Sequence, residues 1–114
     1  MTTAELLNLH QEICEAARDL MRKKNHDYAG KDGKTPFANF EVGEALGIGS
    51  TIQGILFRMS DKFKRLIEYN KSLEFSVTDE SFQDTIMDMI NYSIILAGYN
   101  NDMTKGSCRI IDSL

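Results

Sequence analysis

Apolar residues recur every three to four positions through three long stretches of this chain, and no stretch shows the two-residue alternation of a strand. That periodicity restricts the fold to helices packed on helices. In the first stretch Thr2 and Glu5 have the spacing of a capping box. Leu6, Leu9, Ile13, Ala16, Ala17 and Leu20 follow at helical intervals, which predicts a helix from Thr3 to Lys24. In the second, Ser50 or Thr51 supplies the cap. Ile52, Ile55, Leu56, Met59, Phe63, Leu66 and Ile67 then lie within roughly 60° of one line at 100° per residue. In the third, Thr78 is the predicted cap of a helix running to about Asn100.

Between the first two helices, NHDYAGKDGKTPFANF carries turn signals at Gly30, Asp32-Gly33 and Pro36, the chain's one proline, and is expected to form an exposed loop. Thr35 as cap with Pro36 at the first helical position predicts a short helix through Glu44, stopped by Gly47 and Gly49. A polar loop is expected from Asn70 to Val77. The result is an all-α fold, a small helical bundle of three long helices plus a short one. With 114 residues and 42% hydrophobic content, it forms one domain over residues 1–100 followed by a polar tail, 101–114, with an Arg109-Ile110-Ile111 patch.

A net charge of -4 and a pI near 5.1 argue against general nucleic-acid binding, which needs a basic surface to displace counterions. Cys14 and Cys108 lack the spacing of a zinc site or a disulfide framework, which fits a reducing, cytoplasmic setting. No signal peptide and no apolar run long enough for a membrane span is evident. Gly33 to Thr35 reads GKT, but the first glycine of a phosphate loop would fall on Tyr28. The Asn25 to Gly33 segment misses the calcium-loop spacing, and His10 and His26 are not at metal-ligand spacing. No nucleophile with an adjacent base stands out.

The informative anomaly is a carboxylate pair, Asp84 and Asp88, one turn apart on the third long helix. Phe82, Ile86, Met89, Ser93 and Leu96 mark one face of that helix, while Glu80, Asp84, Asp88 and Asn91 project from nearly the opposite one. Met87, Ile94 and Ile95 make the C-terminal half apolar all round, so Asp88, with Asp84 beside it, is expected to face an inner cleft or a subunit interface. A buried carboxylate needs a compensating cation. Either the pair shares a divalent ion such as Mg²⁺, or it meets the charged stripe Arg58, Asp61, Lys62 and Arg65, about 130° from the apolar line of the second helix. A solvated helix face and a structural ion pair are the bland alternatives.

KKNHDYAG (Lys23 to Gly30), RMSDKFKRL (Arg58 to Leu66) and ESFQDTIMDMINYSIIL (Glu80 to Leu96) together resemble the phage-associated nucleotide modification associated domain 1 family. That family is distantly similar to the all-α MazG and dimeric dUTPase nucleoside triphosphate pyrophosphatases. The resemblance implies Mg²⁺ held on acidic helix pairs and cleavage between α and β phosphates. Glu80 and Asp84 resemble the acidic pair on the last metal-binding helix, although there the glutamate lies three residues before the aspartate, where this chain has Ser81. On the preceding helix Asp61 stands among acids that here have become Lys62 and Arg65, a change that suits holding phosphate better than activating water.

Three functions compete. In a pyrophosphohydrolase, Asp61, Glu80, Asp84 and Asp88 hold Mg²⁺, with Asp84 and Asp88 catalytic. Lys24, Arg58, Lys62 and Arg65 position the phosphates, and Asp27 and Tyr28 touch the base or sugar. In a non-catalytic sponge the same cations and Tyr28 retain a nucleotide or cyclic-nucleotide immune signal, as a phage needs in countering host defence. In a structural homo-oligomer, Asp84 and Asp88 pair with Arg58 or Arg65 across subunits. Hydrolysis ranks slightly ahead of sequestration, and two-fold homo-oligomerisation is expected because the doubly apolar last helix needs a second cover.

Overall fold

The computed structural model describes residues 1–30, 35–72 and 81–105. Four helices make up the described architecture: α1 (Thr3–Ala29), α2 (Ala38–Ala45), α3 (Thr51–Ser72) and α4 (Phe82–Met103). The all-α bundle of three long helices and one short helix is the fold the periodicity predicts. Helix α4 packs on both α1 and α3, and α2 bridges the same two, whereas α1 and α3 do not pack directly against each other.

The capping box opens α1 as expected: the Glu5 amide donates to Thr2 Oγ1 at 3.1 Å and the Thr2 amide to Glu5 Oε2 at 2.9 Å. The helix does not stop at Lys24. It continues through Asn25–Ala29 and ends at Gly30, whose φ of +72° is the left-handed conformation that terminates helices. The expected exposed loop at NHDYA is therefore helical. Burial of Tyr28 and Ala29 against the core outweighs the few tenths of a kcal/mol per residue by which Asn, His and Asp disfavour a helix.

Helix α2 begins two residues later than the Thr35-Pro36 signal predicts. Thr35 Oγ1 accepts from the Phe37 amide at 3.2 Å and its carbonyl from the Ala38 amide at 3.4 Å, so Pro36 sits in a turn ahead of the helix. Aromatic packing rather than a side-chain cap fixes this entry. Phe37 meets Tyr99 edge-on at 5.6 Å, and Phe40 lies in the core. A reciprocal Ser50–Gln53 capping box starts α3, which runs through Ser72, into the expected loop. The predicted cap Thr78 lies outside the described residues. Ser81 caps α4, its hydroxyl accepting from the Asp84 amide at 3.0 Å, and the helix extends past Asn100 to Met103.

Tyr28, Phe40, Ile55, Tyr92, Ile95 and Tyr99 form the core, with Phe40 and Tyr92 in a T-shaped contact at 6.2 Å. The stripe of α4 that turns inward is Thr85, Asp88, Tyr92, Ile95 and Tyr99, spaced by threes and fours, together with Asn91. This inverts part of the sequence expectation. Phe82 and Ser93, assigned to the apolar face, are exposed, while Asp88 and Asn91 of the polar side are buried and Asp84 is not.

Candidate functional site

Asp88 is held by the helical spacing that places Thr85, Asp88 and Tyr92 on one side of α4, against both neighbouring helices. Its carboxylate is nearly sealed from solvent, and each oxygen meets a lysine. Lys24 Nζ of α1 lies 3.0 Å from Oδ1, and Lys62 Nζ of α3 lies 2.9 Å from Oδ2. Lys62 is itself mostly buried, with 14% side-chain exposure, while Lys24 keeps 37%. The trio carries one net positive charge and links two helices that do not pack directly on each other.

One turn on, the Asn91 amide donates to the Ala17 carbonyl of α1 at 2.9 Å, while its Oδ1 has no hydrogen-bond partner among the described residues. Tyr28 is enclosed by Phe40 and Tyr92, with ring centroids at 5.6 and 6.2 Å, and its buried hydroxyl likewise finds no partner there. Burial pushes the Tyr28 phenol well above its ordinary pKa. Tyr92, Asp88 and Asp27 add to the rise, and Arg58 opposes it. The Arg58 guanidinium lies over the Phe40 ring at 5.1 Å.

Outside this layer, an open cleft of about 500 Å³ runs along α3, lined by Phe57, Arg58, Asp61, Lys62, Lys64 and Tyr92 among others. It adjoins a second hollow of about 590 Å³ between α2 and α3, and the two share Phe57 and Arg58. Phe57 is 77% exposed, an aromatic face set among three cations and one carboxylate.

Of the residues singled out from the sequence, Asp88, Lys24 and Lys62 come together, and Arg58 joins Lys62 along the cleft. Asp84 does not join them: it is exposed in the first turn of α4, where its charge suits the helix N-terminus. Asp61 is exposed and lies 3.7 Å from Arg65 Nε, one turn along the same helix. Asp27 is exposed, its carbonyl accepting from Asn39 Nδ2. Tyr28, expected on a loop in contact with a base or sugar, is instead buried, because α1 runs on to Ala29. Glu80 lies outside the described residues.

Among the described residues, no three His, Cys, Asp or Glu side chains gather where a metal ion could be held. A Mg²⁺ ion on Asp88 would have to displace a lysine from a carboxylate whose two oxygens both face ammonium groups. The charged-stripe pattern pointed to Arg58 and Lys62 but not to Phe57, Lys64 or Tyr92. The available signal was an aromatic, Phe57, about 140° from the apolar line of α3 and beside Arg58. No helix among the described residues is long and apolar enough to cross a membrane. Comparison with protein-family models, curated proteins and solved structures finds no match.

Proposed function

We propose that this chain binds a nucleotide or nucleotide-derived small molecule in the cleft along α3 and retains it without turnover. The observation that carries this is the juxtaposition of a solvent-facing ring, Phe57, with Arg58, Lys62 and Lys64 in one cleft of a chain whose net charge is -4. A ring face stacks on a base, and cations lining the same cleft match phosphate oxygens. Retention is favoured over hydrolysis because both oxygens of the one buried described carboxylate are engaged by lysines rather than open to a metal-bound water.

The test is a panel of nucleotides and cyclic nucleotides, each with and without Mg²⁺, followed by thermal unfolding and then calorimetry on any hit. A metal-independent rise in melting temperature, with the ligand recovered intact and binding weakened roughly tenfold or more by Phe57→Ala or Lys64→Ala, is the expected outcome. Chemically altered ligand would move the assignment to the Mg²⁺-dependent pyrophosphohydrolase. A second reading, a purely structural role for the Lys24–Asp88–Lys62 cluster, is favoured by its complete internal pairing. It predicts no shift from any nucleotide.

A further inference from the structure

The turn from α2 into α3 closes on a left-handed residue, Gly47, at φ +74°. Its amide donates to the Glu44 carbonyl at 3.0 Å, and the Ile48 amide donates to the Gly43 carbonyl at 2.8 Å. In a helix ending of this kind, the residue after the left-handed one commonly packs its side chain on the residue whose carbonyl it reaches. Here that residue is Gly43, and nothing lies within 4 Å of the place its Cβ would take. Ile48 is left 79% exposed. The gap belongs to the hollow of about 590 Å³ between α2 and α3, which Ile48 and Phe57 both line.

Neither backbone conformation nor packing asks for a glycine at 43. Its φ is not positive, unlike that of Gly30 and Gly47, and glycine weakens the interior of a helix. Gly54, on the facing helix, is different, since the Phe40 carbonyl would stand 3.3 Å from its Cβ. What the missing side chain at 43 does provide is room.

We propose that this hollow seats the base of the bound nucleotide, while the phosphates lie along the adjoining cleft beside Lys62 and Lys64. The inference rests on the nucleotide reading of that cleft and fixes which way round the ligand lies. The two hollows meet at Phe57 and Arg58, so one ligand can span them. Their chemistry differs in the required sense. Among the described residues lining the α2–α3 hollow, Arg58 alone is charged, whereas the cleft adds Asp61, Lys62 and Lys64. Ile48 and Phe57 offer apolar surface to an uncharged ring, as small-molecule seats commonly do. Gln53 lines the same hollow. Its Oε1 is held by the Ser50 amide at 2.8 Å, which leaves Nε2 as the donor for a base edge.

The experiment is calorimetry on the full chain, as wild type, Gly43→Leu and Lys64→Ala. The probes are the ribo- and deoxyribonucleoside triphosphates, the 3′,5′-cyclic mononucleotides and inorganic tripolyphosphate. Wild type is expected to bind at least one nucleotide more tightly than tripolyphosphate, which has no base to seat. Gly43→Leu, by filling the hollow, weakens that nucleotide roughly tenfold or more and leaves tripolyphosphate within about twofold, whereas Lys64→Ala weakens both. Nuclear magnetic resonance on the wild type asks the same question without a substitution: the amides of Gly43, Ile48 and Gly49 shift with the nucleotide and stay in place with tripolyphosphate. Unaltered nucleotide binding by a folded Gly43→Leu, or amides that do not respond, overturns the base seat. The cleft reading survives that result if Lys64→Ala still weakens the ligand. Equal weakening of nucleotide and tripolyphosphate by Gly43→Leu overturns the seat as well, because the change then acts on the cleft. A wild type that binds no nucleotide removes both readings.

Discussion

Lys24 and Lys62 belong to helices that make no direct packing contact, yet their ammonium groups lie within 3.0 Å of opposite oxygens of the same carboxylate, Asp88. One side chain of α4 therefore links a cation of α1 to a cation of α3. Its removal takes from each lysine the carboxylate oxygen that it meets.

Asp88→Asn is accordingly expected to destabilise the fold by on the order of 3 kcal/mol, as loss of one member of a buried ion cluster does. Lys62→Met should cost more than Lys24→Met, since Lys62 is the more deeply enclosed of the two. Replacing all three with Leu and Met should recover most of the loss. Urea unfolding of the four variants measures this, and equal losses for the two lysines would mean that enclosure does not set the cost.

Gly54 and Gly43 should respond in opposite directions to alanine. A Cβ at Gly54 would stand 3.3 Å from the Phe40 carbonyl, a backbone atom that can yield only by moving α2 off α3, whereas at Gly43 nothing lies within 4 Å. Gly43→Ala is expected to stabilise by about 0.5–1 kcal/mol, the helix-interior difference between the two residues. Gly54→Ala should lose about 1 kcal/mol or more through overpacking. Thermal melts of the pair decide it.

Glu44 makes the α2–α3 junction sensitive to acid. The Thr51 hydroxyl and amide donate to its carboxylate, at 2.5 and 3.2 Å, and hold its pKa below the usual 4.5 against an opposing desolvation, with Tyr99 adding a lesser lowering. Because the unfolded chain takes up this proton first, the stabilisation is fully present above pH 4.5 and disappears as pH falls through the lower folded value. The stability gap between wild type and Glu44→Gln should narrow on acidification. A gap that stays constant from neutral pH down to about pH 3 rules this out.

Tyr28→Phe removes a buried hydroxyl that has no partner among the described residues, and is expected to raise stability by about 1 kcal/mol. Because Tyr28 lines neither hollow beside α3, the same change should leave nucleotide binding unaltered while the protein becomes harder to melt. Parallel melting and calorimetry would show stability rising with affinity unchanged. A loss of stability would instead mean that the hydroxyl is already satisfied.

The helices were legible because Leu9, Ile13, Ala17 and Leu20 on α1 and Ile52 to Ile67 on α3 carry a period no other structure shares. Local rules also gave the Thr2–Glu5 cap. They failed where distant packing decided the outcome: NHDYA reads as a loop until Phe40 and Tyr92 arrive to enclose Tyr28. The anomaly of Asp88 in an apolar helix correctly indicated a sheltered carboxylate with cationic company. Which cations was only half readable, since Lys62 lay on the charged stripe but Lys24 reaches Asp88 from a helix far away in sequence. Asp84 looked equivalent to Asp88 because spacing alone cannot tell that a helix is entering the bundle at one residue and lies inside it a turn later.

The bond from the Asn91 amide to the Ala17 carbonyl bears on how α1 is free to move. Greasy contacts tolerate slippage, since one methyl group serves as well as the next, but a directional bond to a single carbonyl does not. Sliding α1 by one turn, ~5.4 Å, would strand that amide in a place water does not reach. A one-turn slip of α1 is thereby opposed at residue 17, and the Lys24 ammonium on Asp88 and the enclosed Tyr28 ring fasten the far end of the same helix.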